Sequence, residues 1–182
     1  PEGYGLRQGT IHRGRRHSTA TAMLAPALSR PNITLVTRAQ VRSISVENGR
    51  AIGVEIHEGG GPRHIAAGRE VLLCAGAIHS PQLLMLSGIG PAAELRRHGI
   101  KVVHDAPGVG ANLQDHLDVC TLWHSTQRVS YDRMSDLKVA FDYFLRGRTG
   151  PGTSNIAEAG GFVRSALAPD ERADIQLHFV PA

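Results

Sequence analysis

Val71-Leu72-Leu73-Cys74-Ala75-Gly76-Ala77-Ile78-His79-Ser80-Pro81-Gln82-Leu83-Leu84-Met85-Leu86-Ser87-Gly88-Ile89-Gly90 is the stretch that decides the fold. Residues 71–74 are a short apolar run of the kind that fills a buried strand. Ala75-Gly76-Ala77 predicts a turn of very small residues at the end of that strand. Ser80 then Pro81 predicts a helix start, because a hydroxyl caps free N–H groups and the proline ring fixes φ for the first helical position. Leu83, Leu84 and Leu86 form the apolar helix body, and Gly88 and Gly90 stop it. Small residues after a buried strand let something approach the backbone closely. In an open α/β sheet that is where ligands bind.

Outward from this stretch, the chain has 182 residues, 41% apolar and 20% charged, enough for one domain or parts of two. Aromatic residues make up 4% and there are 21 glycines, which favours close backbone packing over aromatic clusters. The net charge of +4 is dispersed except at Arg13-Gly14-Arg15-Arg16, which reads as a solvated turn. No interleaved aromatics, zinc spacing or repeat points to nucleic acid. Cys74 and Cys120 lie far apart without a CxxC, so no disulfide framework is indicated, and Cys74 reads as a small buried residue. The ten histidines form no HxxxH metal spacing, and His79 and His116 read as surface or hydrogen-bonded histidines. No run of about 18 apolar residues is present, so no membrane span is expected. The start at Pro1 and the stop at Val180-Pro181-Ala182, just after a strand over 175–179, predict an internal piece of a longer chain.

Taken in order, residues 1–16 read as irregular. Residues 18–29 read as a helix capped by Ser18 and ended by Pro31. Strands are expected over 33–36, 41–46 and 50–57, the last two joined by the hairpin signal Asn48-Gly49. Gly59-Gly60-Gly61-Pro62 predicts a further turn before a strand over 63–67, completing a small antiparallel meander. A short helix over 91–97 and a strand over 100–103 follow. Residues 117–130 read as a strand or extended segment. Residues 135–144 read as a helix whose apolar face carries Leu137, Phe141, Phe144 and Leu145.

Several runs resemble a known family. Gly76-Ala77, Ser80-Pro81, Leu83-Leu84 and Ser87-Gly88-Ile89-Gly90 fit the second signature of the glucose–methanol–choline (GMC) flavin oxidoreductases. Gly14-Arg15-Arg16-His17-Ser18-Thr19-Ala20, Arg30-Pro31-Asn32 and the 107–116 segment, Pro107-Gly108-Val109-Gly110 to His116, are similar to further family motifs. The resemblance implies a mixed α/β (α+β) fold: the middle of an FAD-binding domain over 1–116, with its antiparallel meander, and the start of a substrate-binding domain over 117–182. It implies FAD as cofactor, with the main chain of Val41 at the adenine and the backbone of Ala75, Gly76 and Ala77 against the dinucleotide. The resemblance is nearest to dehydrogenases of aliphatic primary alcohols and choline, which pass a hydride to the flavin and release an aldehyde. The family's histidine base is expected beyond residue 182 and its phosphate-cradling GxGxxG before residue 1, so the 182 residues alone are expected to be inactive.

Glu158 is the one charged residue within the small and apolar run 156–163. A buried carboxylate must be paired or put to use. In choline-oxidising relatives an acidic residue in this region faces the substrate cavity; the plainer reading is a salt bridge to Arg164 or Arg146. Partners implied by the resemblance are a small-molecule alcohol and a quinone-type electron acceptor, in a cytoplasmic protein or one peripheral to the inner membrane. A different class competes. Gly88-Ile89-Gly90-Pro91-Ala92-Ala93 matches GxGxxA and would make the chain a non-catalytic nucleotide-binding module. Against it, a dinucleotide loop needs strand, turn and helix in that order, and the run before Gly88 starts as a helix.

Overall fold

Short strands built on glycine and arginine open the chain in the computed structural model, which describes residues 2–127 and 129–181. Pro1 and Ala182, on which the expectation about the chain ends was read, lie outside the described residues. β1 (Gly3–Leu6), β2 (Ile11–His12) and β3 (Arg15–Arg16) replace the irregular segment expected over 1–16. The signal was missed because β1 has a non-local partner, with Gly3 opposite Phe162. Arg13 and Gly14 both take positive φ, 51° and 69°, and join β2 to β3 in a tight hairpin, so the arginine cluster is a turn. A π-helical turn (Ala20–Leu24) runs into α1 (Ala25–Ala27). This helix starts later than residue 18. Ser18 serves it through its carbonyl, which accepts from the N–H groups of Thr21 and Ala22 at 3.0 and 2.8 Å, and makes no side-chain cap.

Residues Leu35–Val119 form one compact unit; Pro1–Thr34 with Cys120–Ala182 form the other. Residues 1–34 group with the C-terminal part, where β1 pairs with β9. The expected strand over 33–36 is not in a ladder. The meander forms as expected: β4 (Gln40–Glu47), β5 (Arg50–Glu58) and β6 (Gly61–Ala66) pair antiparallel in that order. Asn48 and Gly49 hold φ of 50° and 78°, the geometry that lets a two-residue turn follow the strands' twist. Ile44 and Ile56 are the buried apolar side chains of this sheet, and Gly53 of β5 is buried as well.

The apolar run 71–74 is not a strand. Leu72 is 77% exposed, Cys74 is exposed, and none of the sheets among the described residues includes the run. A buried parallel strand needs neighbours on both sides, and no described segment supplies one. α2 (Gly76–Leu86) begins four residues before Ser80, with Ala75 as its N-cap and Pro81 inside it. Ser80 caps backwards: its Oγ accepts from the N–H of Ala75 at 3.2 Å. The helix stops as expected, with Gly88 at φ 81°.

At that end a hydroxyl joins helix to sheet. β4 is an edge strand, and Ile44 N–H donates to Ser87 Oγ at 2.7 Å, while Ser87 Oγ–H donates to the carbonyl of Leu83 at 2.5 Å. Ser87→Ala leaves a buried N–H unpaired and is expected to lower the unfolding free energy by about 1–3 kcal/mol. Ser87→Thr, which keeps the hydroxyl, recovers most of that loss in urea denaturation. β7 (Ile89–Gly90), α3 (Ala92–Arg97) and β8 (His104–Asp105) complete the unit, with β7 and β8 parallel. The strand expected over 100–103 therefore lies one step later. Leu95, 1% exposed, anchors α3, and a side chain at Gly90 would meet both Leu95 and Met85.

Residues 117–127, which cross from the 35–119 unit into the other, belong to no sheet among the described residues, and Trp123 is 90% exposed. A 3-10 turn (Tyr131–Arg133), α4 (Asp136–Phe144), a second 3-10 turn (Pro151–Thr153), β9 (Ala159–Val163) and β10 (Ile175–Phe179) follow. The packed face of α4 is not the expected one. Leu137, Phe141, Phe144 and Leu145 are exposed, whereas Asp142 is buried, with Arg146 Nη1 at 3.3 Å. Val139 and Tyr143 lie against Gly152, so the face at i, i+3, i+4 that includes Asp142 meets the 146–153 loop. β9 is the central strand between β1 and β10.

Candidate functional site

Two groups of residues stand out, one in each unit. Val41, Ala75, Gly76 and Ala77 all lie in the 35–119 unit. Val41 sits near the start of β4, opposite Ile56 and 37% exposed. Ala75, Gly76 and Ala77 are exposed at the N-terminus of α2. Gly76 has φ 84°, and a Cβ built on it meets nothing within 4 Å. These three residues face solvent, side-chain-poor, at a helix start whose first N–H groups have no intrahelical acceptor, although the N–H of Ala75 is taken by Ser80 Oγ. Helix N-termini favour anionic and carbonyl groups, so the residues fit a nucleotide cofactor as donors of bare backbone.

The competing 88–93 loop does not fit. α2 precedes Gly88 where a dinucleotide loop needs a strand. A Cβ on Gly88 would strike the carbonyl oxygen of Lys101, so this glycine serves packing against residues 101–103. The first turn of α3 is already capped, since Ala92 N–H donates to Asp105 Oδ1 at 2.9 Å. That N–H is therefore not free to hold a phosphate.

Glu158 is exposed rather than buried, and it pairs with neither Arg164 nor Arg146. Its carboxylate accepts a hydrogen bond from the Tyr131 hydroxyl. That bond, with a second from Ser154, holds the Glu158 carboxyl below its ordinary value. Burial, and next the hydrogen bond to Glu158, push the Tyr131 phenol up. Both residues line a cleft of about 330 Å³, with Val129, Met134, Phe179 and Pro181 as apolar walls. The pieces are tied together by main-chain bonds: Tyr131 N–H donates to Pro181 O at 2.7 Å, and Arg7 N–H to Glu158 O at 2.8 Å. Sequence reasoning singled out Glu158 but not Tyr131. Asp105 carries a visible signal, a carboxylate at a strand end beside a helix start, but its use is as a cap. His79 and His116 are exposed. Among the described residues, no group of His, Cys, Asp and Glu is placed to hold a metal, and no helix is long and apolar enough to cross a membrane.

Solved structures share this mixed helix-and-strand fold. A formate oxidase from Aspergillus oryzae RIB40, described for modification of its FAD, matches with a TM-score of 0.75 and 28% identity, over 94% of this chain and 34% of that one. A fungal aryl-alcohol oxidase matches with a TM-score of 0.75 and 28% identity, over 89% of this chain and 29% of that one. Residues 1–118 match the family model described as GMC oxidoreductase, and the chain belongs to that family. Curated relatives include the oxygen-dependent choline dehydrogenases of Brucella anthropi, 50% identical over 184 residues, and of Sinorhizobium medicae, 49% identical over 183. Each alignment covers 99% of this chain and 33% of the relative, so the chain spans about a third of their length.

Proposed function

We propose that this chain is part of an FAD-dependent alcohol dehydrogenase that oxidises choline, or a closely similar primary alcohol, to the aldehyde. The observation that carries the reading is the 50% identity over 99% of the chain to a choline dehydrogenase, within an established family. FAD, when bound, supplies the acceptor for the hydride leaving the alcohol carbon, while the hydroxyl proton goes to a base. Residues 1–116 serve the FAD-binding domain and 117–182 the substrate side. Within the first, the main chain of Val41 holds the adenine and the bare backbone of Ala75, Gly76 and Ala77 lies against the dinucleotide. Within the second, Glu158 faces the substrate. A small apolar-walled cleft with one carboxylate suits a quaternary ammonium group, whose charge asks for an anion and whose methyls ask for apolar walls.

Two acceptors compete for the reducing equivalents: molecular oxygen, which the relatives' name carries, and a quinone-type acceptor reached by a cytoplasmic protein peripheral to the inner membrane. Reoxidation under air and with a soluble quinone separates them. The reading itself is tested on the full-length protein, which is expected to purify yellow and to lose its flavin absorbance when choline is added without oxygen. A colourless protein, or one whose flavin no primary alcohol bleaches, overturns it. Gly76→Val, which sets a branched side chain in the open approach, is expected to purify with little flavin. The 182 residues alone are expected to show no turnover.

A further inference from the structure

The turn that delivers Glu158 to its cleft is strained. Ile156 has φ 71°, in the left-handed region that a β-branched residue rarely enters. Successive tight turns close around it: Ala157 N–H donates to Asn155 O at 2.9 Å, and Glu158 N–H to Ile156 O at 3.0 Å. Ser154 Oγ accepts from Ile156 N–H at 2.9 Å. Such strain persists only where the surroundings over-determine it, and it gathers at working sites. The Glu158 carboxylate at the end of this turn is held by side-chain bonds, first that from the Tyr131 hydroxyl and next one from Ser154.

We propose that Tyr131 is a positioning residue: its phenol aims the Glu158 carboxylate into the cleft, so that a cationic alcohol is held in preference to an uncharged one. The inference rests on the reading of Glu158 as the substrate-facing carboxylate. The other charged and titratable groups on the elements around Glu158 are engaged elsewhere. Arg7 bonds to His178 on β10, Asp132 accepts from Ser130, and Arg133 donates to the carbonyl of Ser125 at 3.5 Å. Tyr131 is therefore the side chain among them whose bond reaches the carboxylate. Without the phenol the carboxyl takes up a proton at higher pH, and selectivity for the cation fades from the acid side first.

The test uses the full-length, flavin-loaded protein with two substrates, choline and its analogue in which a tert-butyl group replaces trimethylammonium. Their kcat/KM ratio is followed with pH, which cancels any titration that both substrates share. Glu158→Gln is expected to lower the ratio by about tenfold or more at every pH, the scale of one lost charged contact. Tyr131→Phe is expected to move the acid fall of the ratio to higher pH and to raise KM for choline, with kcat and flavin content kept. If Glu158→Gln lowers the ratio and Tyr131→Phe leaves its pH profile unchanged, the positioning role is overturned and the reading of Glu158 stands. If Tyr131→Phe weakens both substrates equally, its role is structural only and the proposal is overturned. If Glu158→Gln leaves the ratio untouched, the reading of Glu158 fails and takes the proposal with it.

Discussion

Gly88→Val is expected to lower the unfolding free energy by about 2–5 kcal/mol, the sum of a left-handed backbone forced on a branched residue and of overpacking. Gly88 is buried at φ 81°, and a Cβ there would strike the carbonyl oxygen of Lys101, a main-chain atom that cannot swing aside. Its own carbonyl accepts from Val103 and His104 N–H at 2.8 and 3.1 Å, so displacing it strips β8 from β7 as well. Denaturation by urea is expected to show a lower midpoint. Gly88→Ala shows the same direction with a smaller loss. A wild-type midpoint for the valine variant would mean that the 101–103 segment yields freely.

The second large effect is expected at Gly160. It lies in β9, the central strand, where a Cβ would collide with the carbonyl oxygen of Leu177 on β10, while a Cβ on neighbouring Gly161 would meet Gly3 O of β1 at 2.9 Å. The Gly-Gly pair lets both neighbours approach closely from opposite sides. Gly160→Val is expected to cost about 2–4 kcal/mol by overpacking against backbone. The loss reaches the cleft, because Phe179 and Pro181 at the end of β10 form its wall, and Pro181 O holds Tyr131. Hydrogen exchange is expected to show β10 unprotected in the variant, with KM for choline raised in the full-length protein. Full protection of residues 175–179 would overturn the expectation.

What could be read from the sequence was local. Asn48-Gly49 announced its hairpin because both residues tolerate positive φ, and the alternation of Ile52, Val54 and Ile56 announced β5. The strand over 175–179 and the stop at Gly88 were equally visible. What depended on distant partners was not. Residues 71–74 have the composition of a buried strand, yet a strand exists only through its neighbours, and Leu72 stays in solvent. β1 was hidden because glycine and arginine carry no alternation, and its pairing with β9 joins residues more than 150 positions apart. α4 misled in another way: its apolar residues marked a face, but the loop that follows folds back on the opposite one and buries Asp142. Of the candidate site, Glu158 was legible as an odd charge in a small-residue run. Tyr131 was not, since nothing local distinguishes a tyrosine in a turn until the turn at Ile156 brings a carboxylate to it.

The hydroxyl of Ser87 does more than tie a helix to the meander. An outer strand with free amides is a template on which another chain can grow, the first step of aggregation. By occupying the amide of Ile44 in the middle of β4, Ser87 interrupts that template. An incoming strand would have to dislodge the end of α2 before it could add there, so the same contact that stabilises the unit also guards it against sticking to copies of itself.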